Sequence, residues 1–322
     1  MKKTIKSVSS AVAMLLLLTL TMLHATAQHN YKELAGNAFR YNRQAPLQLQ
    51  QKLVSEEDGV EKYSISFSNS LGDVATGYLY VPLLAGKKAG IILQHGMPGN
   101  AEGQTPRANY YARQGAVVIA LNSPWARNRP NAVFTLTPTD SSDQVAYIIE
   151  LRRAIDVLQS RPEVDPERIG FVGISHSSAM GLLLAVADER LKACVLAVGD
   201  GGPVSALTST GRKLGILEGM PKEASQRWLK AMQPVEPINY GALADGSKVF
   251  FQNGLKDQVV PAADAKAMHE RVGNRAKVKW YDMGHRLTPE AYADQLSWFS
   301  EKLGMAKPTE ETKQGPKFTA SN

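Results

Sequence analysis

The chain has 322 residues, of which 43% are hydrophobic and 21% charged, with a formal net charge of +7. This is ordinary usage for one large domain with a substantial core, and it excludes disorder over most of the length. The charge is modest and the lysines and arginines alternate with acids, so no basic stripe points to nucleic acid.

Lys2, Lys3 and Lys6, an apolar run from Ala11 to Leu20, and Ala25-Thr26-Ala27 follow one another at the start. Charged, apolar and small residues in that order predict a secretory signal cleaved after Ala27, and so an exported protein, periplasmic or secreted. The apolar run is shorter than the ~20 residues that span a bilayer, so no stable membrane anchor is expected, a short anchor being the alternative. Cleavage removes three lysines and no acid, which lowers the formal charge from +7 to +4. The single cysteine, Cys194, sits in the apolar run from Ala193 to Val198 and has no partner for a disulfide, so it reads as a core residue.

Residues 29 to about 54 are polar and read as an irregular leader wrapping the domain. Residues 63–67 and 77–81 alternate apolar and polar about the turn residues Asn69 to Asp73, which predicts an antiparallel hairpin. Apolar runs follow at 90–94, 116–121, 168–174, 192–198, 248–252 and 277–281. Strands of that kind, separated by helix-length segments, are buried on both faces and predict an α/β fold with a mostly parallel sheet. Helices are expected around 107–114 and over 142–160, with a polar, proline-containing loop at 122–139 between them. The connection 199–245 is too long for a simple crossover and is expected to cap the sheet edge, a surface excursion being the alternative. The domain runs over 28–303, and the polar residues 304–322 are expected to form a flexible tail.

Residues 168–180 carry the chemistry. The apolar run ends at Ile174 and passes through small residues into the helix-favouring 179–185, so Ser175 stands at a sharp strand-to-helix turn, a nucleophile elbow. Such a turn needs very small residues two before and two after the serine. Gly173 satisfies this, and Ser177 stands where glycine is usual. A serine hydroxyl needs a base within hydrogen-bond reach and a third group to hold that base. Of the six histidines, His24 leaves with the signal, His29 lies in the leader and His269 reads as surface polarity on a helix. His95 and His176 belong to motifs where the backbone matters more than the ring, which leaves His285, just past the run 277–281, as the base. The acid is sought between serine and histidine in the chain. Asp257, on the turn after the run 248–252, is the first choice, Asp200 is the rival, and Asp282 lies too near its strand.

Negative charge developing on an attacked carbonyl needs preorganised N–H donors. His176 supplies one at a helix N-terminus, and Met97, in His95-Gly96-Met97-Pro98-Gly99, supplies the other where glycine permits close approach. Trp125, Arg127 and Arg129, on the loop 124–130, are candidate substrate-binding residues able to grip an acyl or acidic group. No histidine and acid cluster has ligand spacing, and no phosphate loop or dinucleotide fingerprint occurs, so neither metal nor cofactor is expected.

With these residues in place the chain resembles the α/β-hydrolases of the dienelactone-hydrolase and prolyl-oligopeptidase-like esterase group, from about Tyr63 to Leu303. The resemblance rests on His95-Gly96-x-x-Gly99, Gly173-x-Ser175-x-Ser177, Gly254-x-x-Asp257-x-x-Val260-Pro261 and Gly284-His285. It implies an eight-stranded sheet and a cofactor-free serine hydrolase of esters, thioesters, lactones or peptides. A non-catalytic binding protein on the same fold is the alternative class. The sequence has no room for a separate propeller domain, so a small-molecule ester or acyl substrate in an open cleft is expected.

Overall fold

The computed structural model describes residues 31–129 and 134–318, so the expected signal at 1–27 lies outside the described residues. A helix over 31–38, α1, precedes the antiparallel strands β1 (Gln50–Glu57), β2 (Val60–Ser68) and β3 (Val74–Pro82). Next come β4 (Lys88–Gln94), α2 (Thr105–Ala112), β5 (Ala116–Leu121), the short α3 (Pro124–Asn128), the long α4 (Thr139–Gln159), β6 (Val164–Ile174) and α5 (His176–Ala187). The remainder is β7 (Leu191–Ala197), α6 (Pro203–Thr208), α7 (Lys222–Met232), β8 (Val249–Gly254), α8 (Ala262–Val272), β9 (Lys277–Tyr281) and α9 (Pro289–Leu303).

The strands form one sheet in the order β1-β2-β3-β5-β4-β6-β7-β8-β9, and all pairings from β5 to β9 are parallel. It has nine strands where eight were expected. The additional one is β1, which begins inside the segment read as irregular leader and runs past its end. Its sequence, Gln-Gln-Lys-Leu-Val-Ser-Glu-Glu, is exposed almost throughout. Backbone pairing to β2 on a sheet edge holds it, so no buried apolar pattern announces it.

Alternation along the buried strands explains the two layers of helices. Ile92, Ile119, Phe171, Leu196 and Phe251 point to one face and pack with Tyr147, Leu151, Leu183 and Met268 from α4, α5 and α8. Their neighbours Ile91, Leu93, Val118, Val172, Val195 and Phe250 point to the other and pack with Tyr111, Leu296 and Phe299 from α2 and α9. Cys194 is fully buried in the first layer, and burial pushes its thiol up to about 12, which keeps it a neutral packing group.

The long connection after β7 packs on this first layer. Trp228 of α7 is buried and its Nε1 donates to Asp140 at the start of α4, 2.8 Å away. A 3-10 helix at Pro237–Leu243 lies against α5 and α8. At the other end of the chain, residues 305–318 were expected to fray, but they run along α2. Glu311 pairs with Arg113, the Tyr110 hydroxyl donates to the Thr312 carbonyl at 2.8 Å, and the Arg107 guanidinium lies over the Phe318 ring at 4.8 Å. Positions 107 and 110 of α2 and 113 just past its end are three residues apart, so they line one face, along which the tail runs. No described helix is long and apolar enough to cross a membrane.

Candidate active site

β6 delivers Ser175 at the carboxyl edge of the sheet, where open α/β sheets place their ligands. The backbone there has φ 56° and ψ −121°, a strained conformation for a residue with a side chain. That turn is tight enough that a Cβ on Gly173 would stand 2.1 Å from the Ser177 carbonyl oxygen, so only glycine fits. The strain lifts the Ser175 hydroxyl clear of the strand, within 3.0 Å of His285 Nε2. His285 Nδ1 lies 2.8 Å from Asp257 Oδ2, and the other carboxylate oxygen accepts the N–H groups of Val259 and Val260 at 2.8 and 2.9 Å.

The side chain of Asp257 is 1% exposed and that of His285 28%. Burial alone would raise the Asp257 carboxyl, but the hydrogen bonds from His285, Val260 and Val259 outweigh it and hold the group below its ordinary value. An ionised carboxylate there fixes the proton of the imidazole on Nδ1 and turns Nε2, an acceptor, toward the serine. The rivals are occupied elsewhere. Asp200 is ion-paired with Arg212 and accepts the Gly202 N–H, while Asp282 is exposed and paired with Lys256.

The loop after β4 meets the elbow from the other side. A Cβ on Gly96 would approach the Ser175 Cβ to 3.1 Å, so glycine lets this loop come close. His95 is buried; its Nε2 accepts the Ser123 N–H at 3.3 Å, which leaves the proton on Nδ1 to be donated to the Gly96 carbonyl at 2.6 Å. That bond ties up the Gly96 carbonyl. Among the described residues, the backbone N–H groups of Met97 and His176 have no acceptor. His176 opens α5, whose N-terminal dipole adds to its attraction for an oxyanion.

Ser177, the departure from glycine, is fully buried and its hydroxyl is engaged. It donates to the His95 carbonyl and lies 2.9 Å from the Tyr147 hydroxyl, which in turn donates to Gln94 Oε1 at 2.7 Å. The extra hydroxyl thus ties the elbow to the strand end that leads into the Met97 loop. Tyr147 and Gln94 were not singled out from the sequence, because a tyrosine on an amphipathic helix carries no local signal of what it faces. Ser177→Ala is expected to lower kcat on an ester about tenfold with little change in KM, a loss of one buried hydrogen bond. Kinetics and melting measured on the same variant check this, and lower stability at unchanged kcat would assign the hydroxyl to packing alone.

The three expected substrate-binding residues lie on α3 and its end. Trp125 is 4% exposed and packs edge-on against Tyr147 and His176, with ring centroids 4.9 and 5.0 Å apart. Its position is a wall beside the elbow, and burial pushes the adjoining His176 ring down to about 3 although part of that residue remains accessible. The Arg127 guanidinium forms a two-pronged pair with the buried Glu150 at 2.6 and 2.8 Å and reaches Asp73 at 3.0 Å, and Arg129 pairs with Asp143. These arginines fasten α3 to α4 and to the hairpin, and the expectation of a substrate grip gives way to that role. His269 also differs from expectation. It is buried, with its Nε2 3.0 Å from Asn253 Oδ1, and burial pushes it down to about 4, because α8 packs this face onto β8. Among the described residues no three His, Cys, Asp or Glu side chains converge as a metal site.

Residues 150–233 match the family described as BAAT / Acyl-CoA thioester hydrolase C terminal. Acetyl xylan esterase 1 from Thermoanaerobacterium sp. JW/SL YS485 superposes with a TM-score of 0.68 at 18% identity, covering 84% of this chain and 93% of that one. The acetyl xylan esterase from Paenibacillus sp. R4 superposes with a TM-score of 0.63 at 20% identity, covering 86% and 93%. In sequence, the YtaP protein of Bacillus subtilis (strain 168) is 45% identical over 42 residues, which is 13% of this chain and 14% of that relative's length. A nine-stranded, mostly parallel sheet with helices on both faces and a strained serine elbow after its central strand, matched over most of the chain by these structures, gives the protein the α/β-hydrolase fold.

Proposed function

We propose that the protein is a serine hydrolase that cleaves carboxylic esters through Ser175, His285 and Asp257. The observation that carries this reading is the unbroken line from Ser175 Oγ through both ring nitrogens of His285 to Asp257, at 3.0 and 2.8 Å, on a backbone strained at the serine. In the first step Oγ bonds to the acyl carbon as its proton passes to His285 Nε2. The carbonyl oxygen takes the electron pair and sits between the N–H groups of Met97 and His176, each donor worth roughly 3 kcal/mol in the transition state. Collapse expels the alcohol, which takes its proton back from Nε2. Water then attacks the acyl-enzyme by the same route and releases the acid.

Esters carry better leaving groups than amides, so the expected result is a kcat/KM for a short-chain acyl ester about 100-fold above that for the matched amide. Preference for the amide would make the protein a peptidase. A thioester reading is favoured by the family match over residues 150–233, and a matched thioester belongs in the same comparison. Supported by the leader pattern, the reading also places the protein outside the cytoplasm. The mature chain is expected to start at Gln28, and mass spectrometry of active protein that still carries Met1 would overturn this.

A further inference from the structure

A cavity of about 300 Å³ is lined by Gly103, Arg107, Arg286, Leu287, Tyr292 and Phe318. Arg286 and Leu287 follow His285 directly, and Leu287 packs on the same small apolar cluster as Ile174, the residue before Ser175. Gly103 and Arg107 follow the Met97 loop at the start of α2. The cavity is therefore bordered by the residues that follow His285 and by the start of α2, which follows the Met97 loop in the chain. It holds two guanidinium groups, and none of the described residues that line it carries a carboxylate.

Among the described residues the half-buried Arg107 and the exposed Arg286 make no ion pair, whereas ten of the sixteen arginines there do. Arg113, Arg127, Arg129, Arg152, Arg153, Arg190 and Arg212 each contact a carboxylate. Among the described residues neither Arg107 nor Arg286 does. Arg107 is instead positioned by neutral groups, its Nε donating to the Tyr292 hydroxyl at 2.7 Å, one terminal nitrogen donating to Gln104 Oε1 at 3.4 Å and its plane lying over Phe318 at 4.8 Å. A guanidinium held by a hydroxyl, an amide and an aromatic face keeps its remaining N–H donors for an anion. The larger cavity of about 640 Å³, near Asp58 and Leu84, lies at the opposite edge of the sheet, and its Arg113 is already paired with Asp58 and Glu311.

We propose that this cavity is an anion subsite that selects esters whose alcohol portion bears a carboxylate or another oxyanion. The inference rests on the hydrolase reading for its direction: His285 returns a proton to the leaving oxygen, so the residues beside His285 face the alcohol. The tail contributes directly, since residues 305–318 climb the face of α2 and bring Phe318 to the cavity wall.

The test compares 4-acetoxybenzoate with the neutral 4-acetoxybenzamide, and with 4-acetoxyphenyl phosphate to separate carboxylate from phosphate. The expected result is a kcat/KM about tenfold higher for the charged esters, carried mainly by KM and reduced at high salt. In Arg286→Gln and Arg107→Gln that ratio falls toward one, and Arg107→Lys, which keeps the charge and guards against misfolding, retains part of it. Equal kcat/KM for charged and neutral esters, or a ratio that survives both glutamine variants, overturns the proposal. Calorimetric binding of 4-hydroxybenzoate to the Ser175→Ala protein, with and without Arg286→Gln, tests the subsite apart from catalysis. Binding that depends on Arg286 with no turnover of any ester would sink the hydrolase reading and leave the subsite standing. Turnover without Arg286-dependent binding would do the reverse.

Discussion

Replacing Ser175 by alanine is expected to abolish labelling by a fluorophosphonate and to lower ester turnover by about 10⁴-fold or more, on the order of 5 kcal/mol in barrier. The change deletes a hydroxyl 3.0 Å from His285 Nε2 and leaves the strained backbone in place, so the protein should still fold. His285→Ala is expected to cost nearly as much. Serine and imidazole act as one unit, and a hydroxyl without its base is close to inert at neutral pH. Labelling of the Ser175→Ala protein at the normal rate would move the nucleophile elsewhere. Absence of labelling in the natural protein would favour a non-catalytic binding role.

Asp257→Asn is expected to lower kcat by about 10⁴-fold, because an amide offers the wrong hydrogen-bond partner to His285 Nδ1 and releases the imidazole into the other tautomer. Asp200→Asn should leave turnover far less affected, since its carboxylate is bound to Arg212 and the Gly202 N–H and does not reach the histidine. A larger loss from Asp200→Asn than from Asp257→Asn would reverse the assignment. The sign of the pH effect follows from the lowered Asp257 carboxyl. A depressed acid contributes stability that is present above its unfolded value, about 3.9, and is lost only as pH falls through the still lower folded value. Urea unfolding of natural and Asp257→Asn proteins at pH 3 and pH 7 is expected to show a larger contribution of the carboxylate at the higher pH.

Much of this arrangement was legible in the chain because it depends on short-range rules. Continuous apolar runs marked the buried strands, and the passage from Ile174 through small residues into the α5 sequence marked the elbow. The requirement for glycine at 173 is a clash within one turn, with Ser177 only four residues away. The order serine, aspartate, histidine, with each residue just past a strand, followed from where parallel sheets expose their ends. β1 escaped notice since an edge strand is held by backbone pairing and needs no apolar pattern.

Tertiary structure decided what depends on partners far apart in sequence. Asp200 and Asp257 both follow parallel strands, and what separates them is that Arg212 meets one and His285 the other. Arg127 looked available to substrate until Glu150, on the next helix, was seen to hold it, whereas Arg107 gave no local sign of facing a cavity beside His285. Ser177 read as an imperfect glycine, and its hydroxyl acquires a purpose only where α4 brings Tyr147 beside it. The sequence by itself therefore determined the strands and the elbow, which are set by periodicity and local sterics. Which charges are paired and which are left for a ligand was decided by the packing of helices and tail over the sheet, because an ion pair is a contact between distant segments and leaves no periodic trace in either.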